Sequence, residues 1–558
     1  MSLLNKDIPY PGLTPAFQEI PKMATEMAKQ RAALQYKQSQ DCPWVVFLGG
    51  TGTGKSTLFN AFCGSRISET GVERPKTLGP IVYAPARCRV SSGFPVTALK
   101  IEERLEAQSE GGSTTGHPER LLVVTHQRDD DRPLVVADTP DLDSVENIHR
   151  EMAEDFYLLA DAVVFVASQE KYADEMPCRF LARVIQENRP LFFLLNKAQE
   201  PFEKEEIMAP LVNEGISIAQ DHIWVIPYDP THQETHIAKQ ETFRAFVGSL
   251  VHQVWTDDGN AFKKAQMAQR KEDVATCARR LLSRLEKEVD MSNRWLNQLS
   301  QLCSRLSASL LKEERQRFLA ESAGDIQREI KTLFSKYDVL AKPRESVRSV
   351  LRTPLEVLGV LKARTHKGQK KALSRVRGKI AFTPILRTVD HLNHQAIALF
   401  SPKDPSSPLF DALRQPSVMM TEDEIRTTIL REQDILDRWL EDRFHRLAHD
   451  LPKRKKWGIY STSIVWGVLI VYFEIIVGGG FTVLDAALDS VIAPFVTKGA
   501  VELFASREIR KIARELAQRY EEGLLSVIVQ QKKRYEDCLK ALLPPEDALS
   551  ELRQLKSL

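Results

Sequence analysis

Trp44-Val-Val-Phe-Leu48-Gly49-Gly50-Thr51-Gly52-Thr53-Gly54-Lys55-Ser56-Thr57 is the stretch on which the reading of this chain turns. Five apolar residues run into the pattern G-x-x-x-x-G-K-[ST], and Leu58-Phe-Asn-Ala-Phe62 can continue a helix beyond it, so the order is strand, glycine-rich turn, helix. Glycines let backbone N–H groups wrap a phosphate without side-chain clashes, and the start of a helix adds favourable potential for an anion. Lys55 is the expected partner of the β and γ oxygens, and Ser56 the hydroxyl for Mg²⁺. Gly49, Gly50, Thr51, Gly52, Thr53, Gly54, Lys55, Ser56 and Thr57 are therefore expected around the phosphates of a nucleotide.

Working outward, apolar runs at 44–48, 121–125, 134–137, 162–167, 191–195 and 223–226 alternate with helical stretches. Runs apolar on consecutive residues suit strands buried on both faces of a mainly parallel sheet, hence an α/β domain. The polar, glycine-containing stretch 102–118 reads as a surface loop or hairpin tip. A chain of 558 residues exceeds one hydrophobic core. Its formal net charge of +2 argues against a nucleic-acid partner. The seven cysteines are too scattered for a zinc site or redox pair and are expected as reduced thiols, and residues 1–11 lack a secretory pattern, so a cytoplasmic location is expected.

Leu134-Val-Val-Ala-Asp138-Thr-Pro-Asp141 is a strand ending in a carboxylate able to hold the metal. Here the chain resembles the translation-factor-related class of P-loop GTPases, whose pattern is D-x-x-G, although Asp141 stands where that class has glycine. Arg74-Pro-Lys-Thr77 resembles the R-P-x-T switch segment of the dynamin superfamily. The resemblance implies that Thr77 caps the metal and senses the γ-phosphate. Leu142 takes the place of the glutamine that orients water in Ras-like enzymes. Thr51, Thr53, a residue near Thr77 or a dimer partner remain as candidates, with Lys55, for the catalytic work. Asn196-Lys197-Ala-Gln199 falls where the class has N-K-x-D. Asn196 is expected to tie this loop to the phosphate loop and Lys197 to lie over the base, but Gln199 has no carboxylate with which to accept two bonds from guanine. GTP with Mg²⁺ is the expected cofactor pair, with guanine against adenine left open by Gln199.

From Ala261 to Ala323 there is neither glycine nor proline, and apolar residues from Val274 to Leu310 recur in three- and four-residue steps, as along a coiled-coil seam. Thr421-Glu-Asp-Glu424 is a capping box that starts another helix, and a third is expected over 501–543. The prolines and serines of 401–416 suggest a bend or an unordered insert. Residues 457–473 carry no charge, Glu474 interrupts, and apolar character resumes over 475–484, between Lys453-Arg-Lys-Lys456 and Lys498, Arg507, Arg510, Lys511 and Arg514. The first run only approaches the roughly 17–25 residues of a spanning helix, so a re-entrant or interfacial hairpin against anionic lipid is expected.

The whole layout resembles dynamin-like large GTPases, in particular bacterial members and the mitofusin type. It divides into a helical segment at 1–43 packing on a stalk, a GTPase domain at 44–258, a helical stalk at 259–452, a membrane segment at 453–503 and a returning helix at 504–558. The resemblance implies homodimers or larger homo-oligomers through the GTPase domain, GTP hydrolysis coupled to membrane remodelling, and residence at the cytoplasmic face of a membrane. The alternative is a soluble nucleotide-dependent switch or scaffold, or a purine-nucleotide hydrolase of open base specificity, with the apolar segment buried.

Overall fold

A computed structural model of the chain describes residues 8–340, 381–399, 404–449 and 503–558, with Leu469 and Phe473. Short stretches at 71–78, 107–115, 129–132, 144–146, 169–174, 200–203, 205–207, 209–210, 213–214, 229–233 and 256–258 lie outside the described residues. Thr77 and nearly all of the apolar segment at 453–503 therefore lie outside it too. Two compact units result: Met1–Ile8, Gln18–Leu285 and Pro545–Leu558 form one, and Pro9–Phe17 with Glu286–Pro544 the other.

The first unit is built on an eight-stranded sheet: β1 (Trp44–Gly49), β2 (Ile81–Pro85), β3 (Lys100–Leu105), β4 (Arg120–His126), β5 (Val135–Asp138), β6 (Ala162–Ser168), β7 (Leu191–Ala198) and β8 (Ile223–Pro227). Their order across the sheet is β3-β4-β2-β5-β1-β6-β7-β8, and every pairing is parallel except β2 with β5. All six residues of β1 are buried, and its side chains alternate between two layers. Trp44, Val46 and Leu48 join the layer formed with α1 (Ile20–Gln38), α3 (Asn147–Leu159) and α4 (Glu175–Gln186). Val45 and Phe47 face α2 (Lys55–Cys63) and α6 (Glu241–Val254). A short helix, α5 (Glu234–Ile237), precedes α6. The chain goes one way across the sheet after β1 and the other way after β5, so β1 is a switch point, where α/β folds open a crevice at the carboxyl ends of the strands.

Two strands were not evident in the sequence. Residues 102–105 are not a loop: they belong to β3, which pairs with β4 at the sheet edge. This edge strand has no buried residue and tolerates Glu102, Glu103 and Arg104, so it lacks the apolar signature used to find strands. The expectation of seven reduced thiols is also corrected, because Cys42 and Cys88 form a disulfide. They are 46 residues apart in sequence. Antiparallel β2 ends at the edge of the sheet where β1 begins, which brings the two together.

Beneath the same edge lies a buried charge cluster. Lys37 of α1 is ion-paired with Asp161, whose Oδ2 also accepts from Trp44 N at 2.8 Å. Arg270, on the long helix α7 (Gly259–Leu340), donates to Asp161 Oδ1 at 3.1 Å and to Ala160 O at 2.7 Å. Burial lowers Lys37 to about 8 and Arg270 to about 10. Burial by itself would raise Asp161, but Lys37 and Arg270 hold it below the usual carboxylate range.

In the second unit, α7 from Glu286 onward packs with α8 (Phe382–Ala398), α9 (Pro408–Leu413), α10 (Glu422–His449) and α11 (Leu503–Leu542) around Leu299, Leu392, Ile429, Leu516 and Val527. The capping box forms: Thr421 N donates to Glu424 Oε2 at 2.8 Å, and Glu424 N to Thr421 Oγ1 at 3.3 Å. The expected insert at 401–416 instead contains α9, with Pro408 at its first turn. Proline suits that position because the first N–H of a helix has no intrahelical partner. The last helix, α12 (Glu546–Leu555), belongs to the first unit, where Glu551 pairs with Arg31 of α1.

Asp161→Asn leaves two buried cations without their counter-charge and is expected to cost about 3–5 kcal/mol. A thermal midpoint within a degree or two of the wild-type value would show that the cluster does not support the fold.

Candidate nucleotide site

The crevice beyond the carboxyl ends of β1, β5 and β7 gathers the residues singled out in the sequence, Thr77 excepted. Gly49 leaves β1 so close to β6 that a Cβ there would lie 2.1 Å from Val166 O. Gly54 has φ 93°, and a Cβ on it would meet Asn196 Nδ2 at 2.3 Å. Only glycine fits either place, which is the physical content of the motif. Thr53 Oγ1 donates to Gly50 O at 2.9 Å, so this hydroxyl is committed to the loop itself.

β7 braces the loop from the other side. Asn196 Nδ2 donates to Thr53 O at 2.9 Å and Lys197 Nζ to Gly52 O at 2.8 Å. Lys197 does so from φ 60°, a conformation costing roughly 1–2 kcal/mol for a residue with a Cβ. The register of β7 against β8 shifts between Leu195 and Ala198, which re-aims these side chains. Gln199 follows immediately and is exposed.

Lys55 is buried, donates to Gly50 O at 3.0 Å and is ion-paired with Asp141. Asp143 Oδ1 accepts from Thr51 N at 2.6 Å and from Thr51 Oγ1 at 2.7 Å. The two carboxylates that follow β5 thus lie against the phosphate loop, and phosphate oxygens would compete with them for Lys55 and Thr51. Asp141 was evident in the sequence as a departure from a pattern. Nothing in the linear spacing marked Asp143.

Asp138 is wholly buried at the end of β5. Its Oδ2 accepts from Ser68 Oγ at 2.8 Å, and the Ser56 hydroxyl also bonds this carboxylate. Burial pushes Asp138 up to about 6; Ser56, Lys55 and Ser68 pull it down, and Asp141 adds to the rise. Oδ1 is buried and takes no hydrogen bond from any described residue. α2 begins without a side-chain cap, leaving its first N–H groups for an anion. An uncommitted carboxylate oxygen beside a serine hydroxyl and an uncapped helix start suits a divalent cation and a phosphate chain, so the residues present fit Mg²⁺ and a nucleotide. Sequence reasoning missed Ser68 and Asn60, although a polar Asn60 inside the apolar run 58–62 was a usable signal.

Residues 44–197 match the family model described as 50S ribosome-binding GTPase. A stretch of 219 residues is 28% identical to an uncharacterized protein in the xynA 3' region of Caldicellulosiruptor sp. strain Rt8B.4, covering 36% of this chain and 52% of that protein. The chain therefore spans about half the length of the curated relative it matches. Two chains from structures of an oligomerised bacterial dynamin pair, described as sensing and tethering membranes over long range, align with 99% of this chain and 92% of their own length. Their identities are 13% and 12% and their TM-scores 0.40 and 0.35. Toc33 from Arabidopsis thaliana, solved with Mg²⁺ and GMPPNP, aligns with 44% of this chain and 94% of its own at 14% identity and a TM-score of 0.21.

The pKa of Asp138 yields a pH test. Below about 6 its carboxyl holds a proton that a metal must displace, so Mg²⁺-dependent nucleotide binding should weaken by up to tenfold per pH unit below that point. For stability the sign is the reverse: the folded chain keeps this proton between about 4 and 6 while the unfolded chain has lost it, so the contribution of Asp138 falls as pH rises through that window. Mg²⁺ titrations of nucleotide binding across the range, flat with pH, would contradict the assignment. The sheet with its switch point, the loop braced by Asn196 and Lys197, and the family match together show that residues 44–197 form a P-loop GTPase domain.

Proposed function

We propose that this chain binds GTP with Mg²⁺ and hydrolyses it, using the crevice at the carboxyl ends of β1, β5 and β7. The observation that carries the reading is the convergence of Lys55, Ser56 and Asp138 at the start of α2, with the buried Asp138 Oδ1 uncommitted. When bound, the metal neutralises charge building on the transferred phosphoryl group. Lys55 and the loop N–H groups hold the phosphates, Ser56 and Asp138 hold the metal, and Thr77 is assigned to sense the γ-phosphate. Thr51, a residue near Thr77 or a group from a second copy of the chain orients water, while the Thr53 hydroxyl is held by Gly50 O. Asn196 and Lys197 bring the base-side loop to the phosphate loop, and Gln199 offers guanine one carbonyl oxygen where a carboxylate would offer two, a difference of roughly 1.5–3 kcal/mol.

Lys55→Ala is expected to abolish tight triphosphate binding. Thr77→Ala should keep diphosphate binding and lose turnover. Calorimetry with GTP, GDP and ATP, paired with a phosphate-release assay, checks both. Wild-type hydrolysis by both variants would end the reading, and equal affinity for GTP and ATP would remove the guanine assignment.

We propose further that hydrolysis is coupled to a membrane through residues 453–503, at the cytoplasmic face, with self-association through the GTPase domain. The basic clusters flanking the uncharged run support contact with anionic lipid. No helix among the described residues is long and apolar enough to cross a membrane. One observation favours the second reading, in which the apolar segment is buried. Leu469 and Phe473 of this segment are 1% and 2% exposed in the core of the helical unit, and the Phe473 ring meets Tyr520 edge-on at 5.6 Å. Flotation with anionic liposomes decides between the two. Coupling predicts that the full chain floats and that removal of 453–503 abolishes flotation; a chain that stays in solution with every nucleotide, and unfolds without 453–503, establishes the buried reading instead.

A further inference from the structure

Asn60 occupies the middle of α2 and is completely buried. Its carboxamide bonds the backbone of the segment that follows the helix. Oδ1 accepts from Ile67 N at 3.0 Å and Ser68 N at 2.9 Å, and Nδ2 donates to Ser68 O at 2.8 Å. Ile67 is anchored as well, packed in the layer of Phe59, Ile81 and Val136. Two backbone donors and one acceptor of a loop are thereby fixed by a single side chain on a helix. Such an amide cannot be replaced by an apolar residue without orphaning all three groups.

Ser68, fixed in this way and itself wholly buried, has one hydroxyl proton and donates it to Asp138 Oδ2 at 2.8 Å. The terminal torsion of an aspartate is broad and roughly two-fold, so a carboxylate does not by itself distinguish its two oxygens. A donor on one of them does. The Ser56 hydroxyl also bonds this carboxylate, and with Oδ2 engaged, Oδ1 is the buried oxygen that takes no hydrogen bond from any described residue. Outer partners of this kind orient metal ligands and typically govern metal affinity by about 10–100-fold.

We infer that Ser68, held by Asn60, is a positioning residue that sets the orientation of the Asp138 carboxylate toward the metal. The inference rests on the reading that this crevice takes a nucleotide with Mg²⁺. Ser68 touches neither, and acts through Asp138.

The experiment uses the full chain and titrates Mg²⁺ against GTP turnover, with GDP binding in excess EDTA as the metal-free reference. Ser68→Ala is expected to raise the Mg²⁺ concentration at half-saturation about tenfold while leaving metal-free GDP affinity within about twofold of wild type. Ser68→Cys, which keeps the volume and a weak donor, should fall between the two. With Mn²⁺ in place of Mg²⁺, the electron paramagnetic resonance spectrum of the GDP complex should change in Ser68→Ala and revert in part in Ser68→Cys. Half-saturation unchanged in Ser68→Ala overturns the proposal. So does equal loss of metal-free and metal-dependent binding in both variants, which would make Ser68 a general support of the fold. If wild-type protein takes up no nucleotide with Mg²⁺, the reading of the crevice fails first, and the wild-type control shows it.

Discussion

Asp161 carries the constraint on which the nucleotide-binding unit depends. One carboxylate, buried where β6 begins, meets the ammonium of α1, the first amide of β1 and the guanidinium of α7. Three separate pieces of chain are thereby fixed to one buried carboxylate on a fourth. Taking charges out of solvent is costly, so such a cluster is weak evidence of net stabilisation. Its effect is specificity: any arrangement that separates these pieces strands a charge in the interior.

The sheet transmits that constraint. The cluster holds the edge where β1 begins, and the phosphate loop leaves the edge where β1 ends, so a strand buried on both faces connects a structural clamp to a chemical site. At the chemical end the same economy recurs with hydrogen bonds. Asn196 and Lys197 brace the loop from β7, while Asn60 of α2 holds Ser68, whose hydroxyl donates to Asp138. Carboxylates are placed with opposite consequences: Asp138 keeps an oxygen uncommitted, whereas Asp141 and Asp143 are engaged with the loop. The second of these arrangements accompanies the departure from the glycine of the D-x-x-G pattern.

The helical unit is organised by different physics. Its helices are joined by a long apolar seam, and among its polar contacts are the capping box at Thr421 and Glu288, which accepts from Leu13 N at 2.7 Å and Thr14 N at 2.8 Å. Leu469 and Phe473 lie in that seam, so at least these two side chains of the apolar segment have protein rather than solvent around them.

By itself the sequence determined what is local. A strand buried on both faces must be apolar throughout, a phosphate loop must have glycine where a Cβ would strike backbone or Asn196, and a capping box needs its two side chains three residues apart; each leaves a short-range signature. Edge strand β3 left none, since none of its residues is buried. What only the tertiary structure decided are the meetings across sequence: Cys42 with Cys88, Lys37 with Asp161 and Arg270, Ser68 with Asp138, Asp141 with Lys55. None follows from spacing, because the order of strands in the sheet differs from their order in the chain, and that order is what sets which side chains become neighbours.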